Sequence, residues 1–328
     1  MSAQRMWRWF GALLGGVLAG SVALTVVNAP QPALAESGAP TAGPAVIARG
    51  QYLAEHVMVC MDCHSRRDFS KFAGPRISGS EGGGGEIFDE KMGIPGKVVS
   101  RNITPHGIGD WTDEEIKRAI MQGISADGSP LFPLMPSPSY ARADERDIDA
   151  VIAYIRTLKP IKNELPSSVY GLPLEARQAM LPKGVPSATR PDSSDSVAYG
   201  GYLTTIAACM DCHTQMGEKG PQMDKYMAGG TEFNFPNGTV RTANITPDKE
   251  TGLGTWDKAS FIAKFRAFSD PSAAAPVGPS DMNTPMPWYF YAGMTDEDLG
   301  AIYDYLRTIP AVANRVEKFT PNAPTAEK

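Results

Sequence analysis

The sequence predicts an all-α fold made of two tandem, loop-rich helical domains. A pentapeptide, Cys-Met-Asp-Cys-His, stands at residues 60–64 and again at 209–213, and the same landmarks surround each copy in the same order. Each half then closes on an apolar stripe at helical spacing, stopped by a proline. Nowhere does a long run of alternating β-branched residues signal a sheet. With 33 glycines and 28 prolines in 328 residues, short helices joined by loops are expected rather than an extended bundle.

The first 35 residues read as an export signal. Arg5 and Arg8 precede an uncharged apolar run from Phe10 to Val27, and Ala33-Leu34-Ala35 is a small-x-small cleavage pattern. Cleavage after Ala35 is expected. A retained N-terminal membrane anchor is the alternative, because about 18 apolar residues nearly span a bilayer. Both readings place the body of the chain in the periplasm, soluble or attached to the inner membrane. Losing residues 1–35 removes two arginines and no acid, which takes the formal charge from −5 to −7. With that balance and no basic run, nucleic-acid binding is set aside.

The repeat defines domains at 44–160 and 196–312. Arg49-Gly50-Gln51-Tyr52-Leu53 precedes the first pentapeptide and Tyr199-Gly200-Gly201-Tyr202-Leu203 the second. Asn-Ile-Thr-Pro follows at 102–105 and 244–247, then Gly-x-Gly-x-Trp ending at Trp111 and Trp256, then Met135-Pro136 and Met286-Pro287. The 12-residue interval from Met135 to Asp147 recurs from Met286 to Asp298. A tandem duplication produces this order; coincidence does not.

Thr112 with Glu115 forms a capping box ahead of Ile116, Ala119 and Ile120, and Asp257 is the matching N-cap in the second half. The closing helices align Ile148, Val151, Ile152, Ile155 and Leu158 before Pro160, and Leu299, Ile302, Tyr303, Leu306 and Ile309 before Pro310. Asp147, Thr295 and Asp298 read as helix-start residues, not catalytic groups. Residues 161–195, rich in Pro and Ser, read as a linker lying over the first domain, and 313–328 as a C-terminal tail.

Cys-x-x-Cys-His is the attachment signature of c-type haem. Residues three apart share one face of a helical turn, so Cys60 with Cys63, and Cys209 with Cys212, reach the two vinyl groups of one porphyrin together. His64 and His213, next in sequence, turn toward the iron as proximal nitrogen ligands. The expected cofactors are two covalently bound haem c groups, one per domain. A structural zinc site or a redox disulfide also uses Cys-x-x-Cys. Zinc, however, calls for four ligands from paired clusters, and a redox pair has no need of the histidine.

The chain has four histidines, His56, His64, His106 and His213, so the second domain has none to spare. A methionine thioether is the natural sixth ligand of an electron carrier, and it raises the reduction potential. Met135 and Met286 align between the halves, each in a Pro-bounded loop; Met121 and Met282 are the nearest rivals. His56 lies four residues before Cys60, too close to reach the distal face. His106 is either a distal ligand in the first domain or a surface residue. Asn102, Asn244, Trp111 and Trp256 recur at matched positions. They either hydrogen-bond a haem propionate or serve as turn residues and core aromatics.

Each half resembles the small helical class of c-type cytochromes, with the motif on an N-terminal helix, His then Met in chain order, and a C-terminal helix packed back across the first. Asn-Ile-Thr-Pro, Gly-x-Gly-x-Trp, Met-Pro and Tyr-(Ile/Leu)-Arg-Thr-(Leu/Ile) together are similar to the haem domains in cytochrome subunits of membrane-bound bacterial alcohol, aldehyde and gluconate dehydrogenases. The resemblance covers both halves, about 230 residues, and omits the signal and the linker. Those subunits usually carry three haem motifs where this chain has two.

The resemblance implies a relay that accepts electrons from a dehydrogenase and delivers them to quinone or a terminal oxidase, with no catalytic residues of its own. The alternative is a two-haem redox enzyme of the peroxidase or thiosulfate-oxidising type. The first commonly uses histidine sixth ligands and an open iron; the second relies on a further cysteine. A third reading is a docking or assembly subunit whose haems are structural.

Overall fold

The computed structural model describes residues 42–184, 188–217 and 220–322. The signal or anchor expected at 1–35 lies outside them. Among the described residues no helix is long and apolar enough to cross a membrane.

In the first half, α1 (Pro44–Tyr52) continues through a π-helix, Leu53–Val57, to α2 (Cys60–Cys63). Next come α3 (Pro105–Ile108), α4 (Asp113–Gln122), α5 (Ser137–Tyr140) and α6 (Glu145–Thr157), the last packed back on α1. The connection carries α7 (Leu174–Ala179). The second half follows the same plan with α8 (Ser196–Ile206), α9 (Cys209–His213), α10 (Lys258–Arg266), α11 (Trp288–Tyr291) and α12 (Asp296–Leu306), which packs on α8. One continuous apolar cluster runs through both halves, with Leu53, Met58, Met61, Ile148, Leu203, Ile206 and Leu299 fully enclosed.

Both helix crossings are made at a glycine. A Cβ on Gly50 would stand 1.7 Å from the Ala150 carbonyl oxygen, and one on Gly200 1.8 Å from that of Ala301. Backbone therefore meets backbone, and a side chain has no room. The halves differ by one residue before the motif: Tyr52 stands eight residues ahead of Cys60, Tyr202 seven ahead of Cys209. The π-helix Leu53–Val57 absorbs the extra residue.

The helix starts follow their local chemistry. The Thr112–Glu115 capping box makes both of its hydrogen bonds, and Asp257 accepts from the Ser260 N–H. Asp144 and Thr295 cap α6 and α12, each accepting a first-turn N–H. Asp147 and Asp298 sit in the first turns of those helices, where a carboxylate also suits the helix dipole.

The all-α expectation fails. Helix makes up 38% and strand 11% of the described residues, and the strands form three small antiparallel sheets. In the first half β1 (Ile87–Asp89) and β2 (Gly96–Val99) make a hairpin, with Ile87 opposite Val99, and β3 (Val169–Tyr170) of the connection adds to its edge. A minimal hairpin, β4 (Met216–Gly217) with β5 (Gly220–Pro221), follows the second motif. Then β6 (Glu232–Phe235) pairs with β7 (Gly238–Arg241), and β8 (Phe319–Pro321) completes that sheet. Strands of two to four residues are too short to display a two-residue period. Each three-stranded sheet also depends on a segment beyond its half's closing helix, a pairing that no local pattern announces.

Candidate haem-attachment sites

Each motif begins after a left-handed residue. Val59 (φ 44°, ψ 42°) and Ala208 (φ 53°, ψ 30°) end the preceding helix and restart the chain as a separate turn. For a β-branched residue such as Val59 this conformation is strained, and non-glycine residues hold it where the surrounding structure imposes it. On the restarted turn, Cys60 and Cys63, and likewise Cys209 and Cys212, are unpaired thiols one helical turn apart. Burial pushes Cys60 and Cys209 up to about 12, so neither rests as a thiolate poised for disulfide exchange. Among the described residues, no group of three or more His, Cys, Asp or Glu side chains is arranged to hold a metal ion.

Both histidines are oriented identically. His64 Nδ1 lies 2.8 Å from the Arg101 carbonyl oxygen, and His213 Nδ1 lies 2.8 Å from that of Ala243. A carbonyl only accepts, so Nδ1 carries the proton and Nε2 keeps its lone pair. Desolvation holds each imidazole below its ordinary pKa, hence neutral and able to ligate. A ligand histidine is oriented in this way by a partner on its other nitrogen.

Those carbonyls immediately precede Asn-Ile-Thr-Pro, which explains the landmark. Asn102 Oδ1 accepts from the Thr104 N–H (2.9 Å) and hydroxyl (2.7 Å), while its amide donates to the Ile161 carbonyl (2.7 Å) and to Asn163 Oδ1 (2.8 Å). Asn244 makes the same turn with Thr246 and donates to the Val312 carbonyl (2.8 Å) and the Thr251 hydroxyl (2.9 Å). Both N–H groups of each amide are thus engaged within the protein. These bonds support the turn reading for the asparagines. Trp111 and Trp256 are half-buried against the core.

The methionine loops match closely. The Met135 carbonyl accepts from the Ser137 N–H at 2.8 Å and the Met286 carbonyl from the Trp288 N–H at 2.8 Å. The prolines that follow start α5 and α11, which end at Tyr140 and Tyr291. Tyr140 donates to the Met58 carbonyl (2.6 Å) and Tyr291 to that of Ala207 (2.7 Å), each two residues before the first cysteine. The tyrosines lash each methionine loop to its own motif, and Cys60, Met135, Cys209 and Met286 all pack on the same core.

Of the rivals, Met121 is enclosed in the same core from α4, Met282 is exposed, and His106 is exposed on α3. His56 points into the seam between the halves, with Nδ1 3.0 Å from the Phe290 carbonyl oxygen. Sequence reasoning missed the two tyrosines, although each stands five residues after its methionine. It had no means of seeing the histidine-orienting carbonyls, which are backbone groups.

The profile of the cytochrome c family matches residues 197–310. That stretch is similar to a cytochrome c domain. Cys209, Cys212, His213 and Met286 all fall inside the matched stretch, and the first half presents the same groups around Cys60.

The whole chain is similar to the cytochrome c subunit of the quinone alcohol dehydrogenase of Gluconobacter oxydans, 31% identical over 91% of this chain and 61% of that one. It is similar to the fructose dehydrogenase cytochrome subunit of Gluconobacter japonicus, 30% identical over 81% of this chain and 53% of that one. A diheme c-type cytochrome of Cereibacter sphaeroides is 28% identical over 77% of this chain and 82% of its own length. The chain thus spans 53–61% of the length of the two dehydrogenase subunits. At both sites a cysteine pair, an imidazole with its outer nitrogen engaged and a thioether loop fit the donor set of a haem c.

Proposed function

We propose that the chain binds one haem c in each half and relays electrons from a dehydrogenase toward quinone or a terminal oxidase. When bound, a haem iron supplies a one-electron couple whose potential its axial ligands and surroundings set. Cys60, Cys63, Cys209 and Cys212 would hold the groups covalently, His64 and His213 would ligate from one side, and Met135 and Met286 from the other. The observation that carries this reading is the duplicated histidine orientation, with Nδ1 engaged by a carbonyl at 2.8 Å in both halves.

The supply of donors favours a carrier over a peroxidase-like enzyme, since His56 faces the seam and the second half has no further histidine. The relatives' names support the partner class, a dehydrogenase, and that of the Gluconobacter oxydans relative specifies quinone. The export-like pattern of residues 1–35 supports a periplasmic site of action, with the segment either removed or kept as a membrane anchor.

The test is reduction by a donor. Purified oxidised protein, mixed with membranes bearing a quinone-dependent dehydrogenase and its sugar or alcohol substrate, is expected to bleach the oxidised spectrum of both haems. Protein that dithionite reduces fully but no such dehydrogenase reduces would overturn the relay.

A further inference from the structure

Resting on the relay reading, we propose that the buried Arg67–Asp62 pair makes the first half's site the higher in potential, so that electrons entering the second half pass to the first. Arg67 follows His64 by three residues, and its Nη1 lies 2.6 Å from Asp62 Oδ1 inside the motif, with the two side chains 5% and 12% exposed. Its Nε donates to the Gly74 carbonyl (2.7 Å) and its Nη2 to that of Ala73 (2.6 Å), so the guanidinium is fixed beside the motif. It lies over the Phe69 ring at 4.5 Å and faces Phe290 of the second half at 5.8 Å.

Among the described residues the second half has no such cation against its motif. Counted from the histidine, Arg66 and Arg67 become Gln215 and Met216, and Met216 is 61% exposed. Arg101, whose carbonyl holds His64, becomes Ala243. Among the described residues Asp211, the counterpart of Asp62, is met by the Ser139 hydroxyl alone, 3.3 Å from each oxygen. A fixed positive charge in a low-dielectric setting favours the reduced, less positive iron, and an uncompensated carboxylate favours the oxidised one.

The other buried acids near the first motif do not cancel this. Glu55 is closed by Arg76 and the Tyr154 hydroxyl. Glu86 takes the backbone N–H of Arg67, and burial holds it toward its neutral form. The halves as wholes agree in sign. Residues 44–160 carry 14 Lys and Arg against 16 Asp and Glu, and residues 196–312 carry 8 against 13. The halves touch beside the second motif, where Ser139, four residues after Met135, donates to Asp211.

A potentiometric titration of the intact two-haem protein, followed by absorbance, reads two midpoints. Arg67→Met is expected to lower the higher one by at least a tenfold change in the reduced-to-oxidised ratio at fixed potential, about 59 mV for one electron, and to spare the lower one. Arg67→Lys keeps the charge and holds the wild-type value. Asp62→Asn leaves the arginine unopposed and raises the higher midpoint. Movement of the lower midpoint instead, or of neither while both haems are bound, overturns the assignment. If Arg67→Met does not take up haem, Asp62→Asn decides: a rise in the higher midpoint supports the proposal and no rise overturns it. A wild-type chain lacking two covalent haems would defeat the relay reading itself, a distinct result visible in its mass.

Discussion

Tyr52 donates its hydroxyl proton to Asp298 Oδ2 at 2.6 Å, and Tyr202, its counterpart in the repeat, donates to Asp147 Oδ2 at 2.7 Å. Each hydroxyl also accepts a backbone N–H from the opposite half, that of Thr295 at 3.1 Å onto Tyr52 and that of Asp144 at 3.2 Å onto Tyr202. The start of each closing helix is thus gripped by a tyrosine of the other half, reciprocally, as across a two-fold interface between identical copies. Burial, reinforced by the carboxylates, pushes both phenols well above the ordinary tyrosine range, so they remain donors. The seam brings the Met135 loop of one half against the motif of the other.

Removing either hydroxyl tests the seam. Tyr52→Phe and Tyr202→Phe are each expected to lower stability by about 1.5–3 kcal/mol, the usual range for hydrogen bonds to charged groups. Asp147→Ala is expected to cost about 3–5 kcal/mol, because it strands the half-buried Arg49 and Arg190, 3.0 and 2.5 Å away. Asp298→Ala, with no arginine to strand, is expected to fall below it. Denaturant unfolding of the full chain measures the order.

The glycine crossings make a second prediction. Gly50→Ala and Gly200→Ala place a Cβ where a carbonyl oxygen stands, so the paired helices must part. A loss of about 3 kcal/mol or more is expected in each case, together with lowered haem content. An alanine variant of normal stability would show that the crossing is looser than backbone contact.

Ligand choice is tested one half at a time. Met135→Ala and Met286→Ala are each expected to lower the potential of one haem and leave the other in place, because a thioether ligand raises the potential. Loss of one sulfur-to-iron charge-transfer band per variant is the accompanying optical sign. A substitution with no effect on either haem would move the ligand role to another residue in that half.

Asp144 supplies a pH dependence. The Arg146 guanidinium and the Arg190 N–H hold its carboxyl well below the usual carboxylate range. A depressed folded value stabilises above the unfolded pKa and is lost as pH falls through the folded one. Asp144→Asn keeps a competent N-cap but removes the charge. It is therefore expected to be less stable than the parent at pH 7, with the gap closing as pH drops below about 4. Acid titration of the unfolding free energy reads this directly.

The helical frame was legible because its signals are local: Thr112 with Glu115, the Ile148–Ile155 stripe and the proline stops all act within a turn or two. The sheets were not, since β3 and β8 are recruited from beyond the closing helices and the hairpins are too short to show a period. At the candidate sites, the cysteines, histidines and methionines could be named from the repeat because each bears a distinctive side chain. The carbonyls of Arg101 and Ala243 could not, because any residue would serve there. Asn102 shows the converse: its recurrence was visible, but its role as a turn-former emerged only with the Ile161 and Asn163 partners. The Tyr–Asp reciprocity was latent in the repeat, yet an all-helical reading assigned the acids to helix starts alone.

The most direct test of the central claim is intact-mass analysis of the purified protein after denaturation, combined with a thiol-labelling assay. The account predicts the polypeptide plus two haem groups, with Cys60, Cys63, Cys209 and Cys212 all refractory to labelling. A bare polypeptide mass, or a single haem with two reactive cysteines, would contradict it.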